Sequence, residues 1–122
     1  MARTISVAKT LDGATATTKY TLYKIPAKQT GLWTVQYIIS TEGNETPHVF
    51  WYDASTNNEY LVVAGKNLGV GESILLDGDA VVALQEFDEI RIQNSGTVNA
   101  VTYIATLHLQ FADAVQFHGN GN

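Results

Sequence analysis

Val98-Asn99-Ala100-Val101-Thr102-Tyr103-Ile104-Ala105-Thr106-Leu107-His108-Leu109-Gln110-Phe111 is the stretch that decides the fold. Val101, Tyr103, Ala105, Leu107, Leu109 and Phe111 share one face, and Thr102, Thr106, His108 and Gln110 share the other. A period of two belongs to a strand with one dry face and one wetter face. A slip of one residue would turn the whole apolar row to solvent, so the register should be firmly set. Each medium-sized apolar side chain in that row contributes roughly 1.5–3 kcal/mol on burial.

Upstream, from Asp77 to Gln93, acidic and glycine turns alternate with β-branched runs, and the same grammar extends back through the chain. Strands are predicted over 3–9, 19–25, 32–41, 48–52, 59–64, 72–76, 80–84, 87–93 and 98–111. On the third of these, Trp33, Val35, Tyr37 and Ile39 are expected to face the core. Pro26 stops the second, because proline has no N–H to donate and biases Ile25 toward extended geometry. Asn94-Ser95-Gly96 reads as a hairpin turn, with glycine free to take φ > 0. Short strands separated by Gly, Asn and Asp turns, with no helical period, predict an all-β, antiparallel, jelly-roll-like sandwich. Its body spans 19–111. Residues 1–18 form an N-terminal strand and linker expected to act as an extended arm, and residues 112–122 a C-terminal tail.

The 122 residues suit one domain with a two-layer core. At 45% apolar and only 16% charged, the chain is too hydrophobic for disorder, and its surfaces carry little charge, which makes burial against partners one way to keep them soluble. No cysteine is present, so disulfides and thiolate metal sites are excluded. No signal-peptide pattern or membrane-length apolar run is found, so synthesis in a cytoplasm and no membrane partner are expected. The net charge of −5 is uneven. Residues 1–28 hold five cations against Asp12, a net +4, and the remainder is −9. Five cations so dispersed make a poor phosphate footprint, and no nucleic-acid partner is expected. An acidic neighbour, including an identical subunit, fits better, with solvated edge lysines as the alternative.

No catalytic constellation emerges. His48, His108 and His118 lie on separate elements without the convergent spacing a zinc site needs. There is no Gly-x-Ser-x-Gly elbow and no phosphate-cradling glycine loop. Asp77-Gly78-Asp79 and Glu86-Phe87-Asp88-Glu89 are acid-dense, but turn formation and edge charge account for them without calcium. The chain is therefore expected to be no enzyme and to need no cofactor. His48-Val49-Phe50-Trp51-Tyr52 is apolar on both faces, with Phe50 and Tyr52 on one and Val49 and Trp51 on the other. One of those faces must be covered by the chain's own loops, by a second subunit, or by a ligand such as a sugar.

Tyr20-Thr21-Leu22-Tyr23-Lys24-Ile25-Pro26-Ala27-Lys28-Gln29-Thr30 resembles the "strand, Val/Ile-Pro-Ala-Gly-Lys-Thr, strand" opening of small virion proteins of tailed bacteriophages. Leu68-Gly69-Val70-Gly71-Glu72-Ser73-Ile74-Leu75-Leu76 and Phe87-Asp88-Glu89-Ile90-Arg91-Ile92 are similar to that family's "Leu-x-x-Gly-Glu-x-x-x-Leu … Gly-Asp-x-Ile-x-Val" arrangement. Gly96 to Ile104 is similar to its last hairpin. The resemblance spans roughly 20–109. It departs at Gln29, where the family has Gly or Lys, and at Phe87, which replaces the Gly before Asp88. It carries no catalytic residues. It implies a virion structural protein: a capsid decoration subunit that contacts the major capsid protein and copies of itself, or else a tail, neck or fibre component, with a glycan-binding aromatic surface as one form of that alternative. The contact residues expected on this reading are Arg3, Lys9, Phe50, Trp51, Tyr52, Phe117 and His118.

Overall fold

Among the described residues the chain forms nine strands, close to where the apolar alternation places them. They are β1 (Ala2–Leu11), β2 (Tyr20–Lys24), β3 (Gln29–Ser40), β4 (Pro47–Asp53), β5 (Asn58–Val63), β6 (Ser73–Leu76), β7 (Val82–Leu84), β8 (Glu89–Asn94) and β9 (Val101–Phe111). The computed structural model describes residues 2–12, 18–43, 45–77, 81–95 and 99–111. The larger sheet has the order β1-β9-β3-β6, with β7 also paired to β3, and the smaller has β2-β8-β4-β5. All pairings are antiparallel. The two sheets enclose one core, which makes the chain an all-β, jelly-roll-like sandwich.

The inward row of β9 is Val101, Tyr103, Ala105, Leu107 and Leu109, all buried. It meets Ile90 and Ile92 of β8, Val49 of β4 and Trp33 of β3. Phe111 continues the row but is half exposed, because β9 there runs past the end of the core.

On β3 the expected face changes halfway. Trp33 is buried, but the core residues that follow are Gln36, Ile38 and Ser40, while Val35, Tyr37 and Ile39 point outward. The cause is a bulge: Trp33 opposes Leu107 and Val35 opposes Thr106, so Thr34 is an extra residue that reverses the parity of the strand. The bulge falls between the two short strands on β3's other edge, since β7 pairs with Gly31–Trp33 and β6 with Gln36–Ile39.

Two connections differ from their sequence reading. Asn94-Ser95-Gly96 does not close a hairpin: β8 lies in the smaller sheet and β9 in the larger, so the chain crosses between layers there. Tyr103 anchors the crossing, its single hydroxyl proton within reach of two acceptors, the Gln93 carbonyl (3.0 Å) and Asn94 Oδ1. Burial, with the charge of Glu45 adding to it, pushes the Tyr103 phenol pKa above its ordinary value and keeps it a donor. The N-terminal segment is likewise placed within the sheet. β1 pairs with β9 along its whole length, from Ala2 opposite Gln110 to Leu11 opposite Val101. β1 thus belongs to the larger sheet and the next strand, β2, to the smaller.

Two turns show how the chain meets the demands of its template. Lys28 (φ 62°) and Phe87 (φ 69°) are each the third residue of a turn, Pro26–Gln29 and Gln85–Asp88, in the left-handed region that glycine adopts most readily. The two turns interlock: the Ile25 N–H donates to the Asp88 carbonyl and the Phe87 N–H to the Ile25 carbonyl, each at 2.9 Å.

Candidate interaction surfaces

The strand alternation of β4 sends His48, Phe50 and Tyr52 to the outer face of the smaller sheet and Val49 and Trp51 inward. The outer aromatics are covered by the chain's own cations. Lys19 Nζ lies 4.4 Å from the Phe50 ring centroid, and the Arg91 guanidinium carbon 3.8 Å from that of Tyr52. Those cations are held by carboxylates: Lys19 pairs with Glu59, and Arg91 reaches Glu59 Oε2 and Glu89 Oε1 at 3.1 Å each. Thr21 adds a hydroxyl to Glu89 at 2.7 Å. Partial burial alone would raise the pKa values of Glu59 and Glu89, but the hydrogen bonds from Lys19 and Arg91, and from Arg91 and Thr21, outweigh it and hold both below the usual range. Arg91 is held above its own by the same pairs, against burial. His48 donates to or accepts from Ser95 Oγ at 2.5 Å, and burial depresses its pKa. The face is cross-braced by ion pairs, with Leu61 exposed beside Phe50.

Trp51 lies on the inner side, packed beside Tyr60 with ring centroids 5.2 Å apart. Its indole N–H is committed to Asp88 Oδ2 at 3.1 Å. Asp88 is fully buried and also accepts the backbone N–H groups of Ala54 (2.9 Å) and Gln85 (3.0 Å). One carboxylate thus ties β4, the β4–β5 hairpin and the β7–β8 turn together. Neither the acid-dense run nor the motif around Asp88 reveals this role in the sequence.

Arg3 and Lys9 lie on the inward row of β1, opposite Leu109 and Tyr103, but at the open edge of the sandwich where both remain exposed. Lys9 reaches across to the smaller sheet, its Nζ 5.7 Å from the Tyr20 ring centroid. The predicted contact residues are therefore not one site: Arg3 and Lys9 line an edge, Phe50 and Tyr52 an outer face, and Trp51 is half-buried on the inner side. Phe117 and His118 lie outside the described residues.

The outer face of the larger sheet has the opposite character. β1 contributes Thr4, Ser6, Ala8 and Thr10, β9 contributes Thr102, Ile104, Thr106, His108 and Gln110, and β3 contributes Thr30, Leu32, Val35, Tyr37 and Ile39. Ser73 and Leu75 of β6 and Ala83 of β7 complete it. No Asp, Glu, Lys or Arg stands in these described rows. Thr4 bonds His108 Nδ1 at 2.7 Å, Ser6 bonds Thr106 at 3.0 Å and Thr10 bonds Thr102 at 2.8 Å, so the polar groups along β1 and β9 satisfy one another. A shallow depression of about 330 Å³ opens at one end among Thr30, Leu32, Ala83, Gln85, His108 and Gln110. The absence of charge at every second residue of β1, β3 and β9 was present in the sequence, but the bulge at Thr34 hid which residues of β3 belong to the row.

Among the described residues no three His, Cys, Asp or Glu side chains are grouped to hold a metal ion.

No protein-family model matches the chain, and no curated protein sequence matches it. Solved structures share its fold. One is the acid-stable capsid of Helicobacter pylori bacteriophage KHP30 (TM-score 0.57, 10% identity, 90% of this chain and 94% of that chain). A second is the VP2 subviral particle of infectious bursal disease virus (TM-score 0.57, 9% identity, 92% of this chain and 33% of that one). A third is the Drosophila NLP core, described for pentamer formation and histone binding (TM-score 0.51, 13% identity, 86% and 97%). This chain spans about a third of the length of the bursal disease virus chains it matches. At these identities the likeness is one of fold, the two-sheet sandwich.

Proposed function

We propose that this chain is a bacteriophage virion structural protein, a decoration subunit that stabilises the head by contacts with the major capsid protein and with copies of itself. The observation that carries this reading is its likeness to a chain of the KHP30 capsid, in which the match covers nearly the whole of both chains. A single sandwich of this size serves there as a unit of a capsid structure. The site geometry agrees. The ionic groups of the smaller sheet are spent on internal bracing, and the larger sheet presents a broad uncharged face suited to a protein neighbour. Such a subunit works by mass action, since interface buried on the assembled shell stabilises it relative to its parts.

The test is to add purified protein to particles that lack it and follow head disruption on heating. The subunit reading expects saturable binding and a raised disruption temperature, and it fails if binding leaves that temperature unchanged or does not occur. The alternative, a tail, neck or fibre component binding host glycan through its aromatics, draws less support from the geometry. Trp51 faces inward with its N–H already used, and Phe50 and Tyr52 lie beneath cations. Glycan-array binding abolished by Trp51→Ala would reinstate it.

A further inference from the structure

We propose that the outer face of the larger sheet is the surface through which two copies of this chain pair, face to face. Three observations on that face lead to a second copy as its occupant. The first is charge. The chain is acidic overall, at −5, and two copies approaching through most of their surface bring like charges together. The rows of β1, β9, β3, β6 and β7 that form this face carry no Asp, Glu, Lys or Arg, so two such faces meet without a clash of those charges. A charged partner seated here would leave its own ions dry and unpaired, which is costly. A neutral partner face is what the surface accepts, and the chain itself carries one.

The second is the cost of drying the polar groups. The Thr4–His108, Ser6–Thr106 and Thr10–Thr102 pairs already bond across β1 and β9, so covering them strips little water from unsatisfied atoms. Beside that ladder the face turns apolar, with Leu75 (53% exposed) paired opposite Tyr37 and Leu32 (42% exposed) further along β3.

The third is area. The eleven residues of β9 and four strands at ~4.8 Å spacing give a face of roughly 37 by 15–19 Å, about 550–700 Å². Pairing two copies would bury about 1,100–1,400 Å² in all, which reaches the lower range of stable specific interfaces. Sheets stack face to face at ~10 Å with their side chains interdigitated. A two-fold arrangement makes the contact self-complementary.

The test weighs the full-length chain in solution by sedimentation and light scattering from about 1 to 100 µM. The proposal expects a dimer in that range. Tyr37→Glu places two like charges in the dimer centre and should weaken association at least about 100-fold. Ala8→Glu makes the same point at an exposed position of β1 where folding is not at stake, and decides the matter if Tyr37→Glu loses its β-sheet circular dichroism. Leu61→Glu adds the same charge to the outer face of the smaller sheet and should leave association unchanged. A chain that stays monomeric at 100 µM overturns the proposal, as does a dimer that survives Ala8→Glu or is broken equally by Leu61→Glu. Because the free chain is weighed, failure here leaves the virion role standing, and failure to bind particles leaves this pairing standing.

Discussion

Replacing Asp88 by Asn should cost far more than its isosteric shape suggests. The buried carboxylate accepts three N–H donors, one on Oδ1 from Ala54 and two on Oδ2 from Trp51 and Gln85. An amide offers a single oxygen, so its NH₂ must face at least one of those donors with no acceptor between them. Hydrogen bonds to a charged group contribute about 1.5–3 kcal/mol each, and those kept by the amide become neutral and weaker. The expected loss for Asp88→Asn is therefore about 2–4 kcal/mol, or a fall in Tm of roughly 10 °C for a domain of this size. Urea unfolding followed by both β-sheet circular dichroism and tryptophan fluorescence measures it, and the fluorescence of the variant should shift as the Trp51 N–H loses its partner. Asp53→Asn, at the solvent-facing start of the β4–β5 turn, should move the midpoint much less. A loss below about 1 kcal/mol for Asp88→Asn would refute the reasoning, because the buried donors would then be finding partners elsewhere.

Other outcomes follow from the same geometry. Lys28→Gly should be neutral to stabilising by about 1 kcal/mol, since relief of left-handed strain offsets the added freedom of the unfolded chain, whereas Lys28→Val should destabilise by a similar amount or more, both read from urea midpoints. Removing residues 1–11 strips a ten-residue strand from the larger sheet together with buried Leu11 and the half-buried Ile5 and Val7, and the unfolding free energy from urea titration should fall by ~4 kcal/mol or more. Stability should decline on acidification in two windows. The His48 pKa lies below its ordinary 6.5, so its contribution is complete above that value and shrinks as pH falls through it toward the folded pKa, and His48→Gln should abolish this step. Those of Glu59 and Glu89 lie below 4.5, so theirs is present above 4.5 and lost as pH falls through the folded values.

The sandwich was legible wherever a strand alternates without interruption. β9 shows its inward row directly, and the Trp33 end of β3 does the same. Past Thr34 the rule inverts, because a bulge adds one residue without any signature that alternation can detect, and so Gln36 and Ser40 came to the core in place of Val35 and Tyr37. Turn chemistry located the breaks between strands but not their destinations: Asn94-Ser95-Gly96 suits a hairpin and a sheet crossing equally well, and only the docking of Tyr103 distinguishes them. For the candidate surfaces, alternation placed Phe50 and Tyr52 opposite Trp51, but the cover over them comes from Lys19 and Arg91, which are 31 and 39 residues distant in sequence from Phe50 and Tyr52. Pairing across strands of that separation is a property of the sheet order. The uncharged face is the same case on a larger scale, assembled from five strands that are each unremarkable alone.

The most direct measurement of the proposed virion role is the position and number of copies on intact particles, read by gold-labelled antibody against this chain in electron micrographs. The subunit reading predicts many labels distributed over the whole head. Label confined to one vertex or to the tail, or none on particles at all, would contradict it.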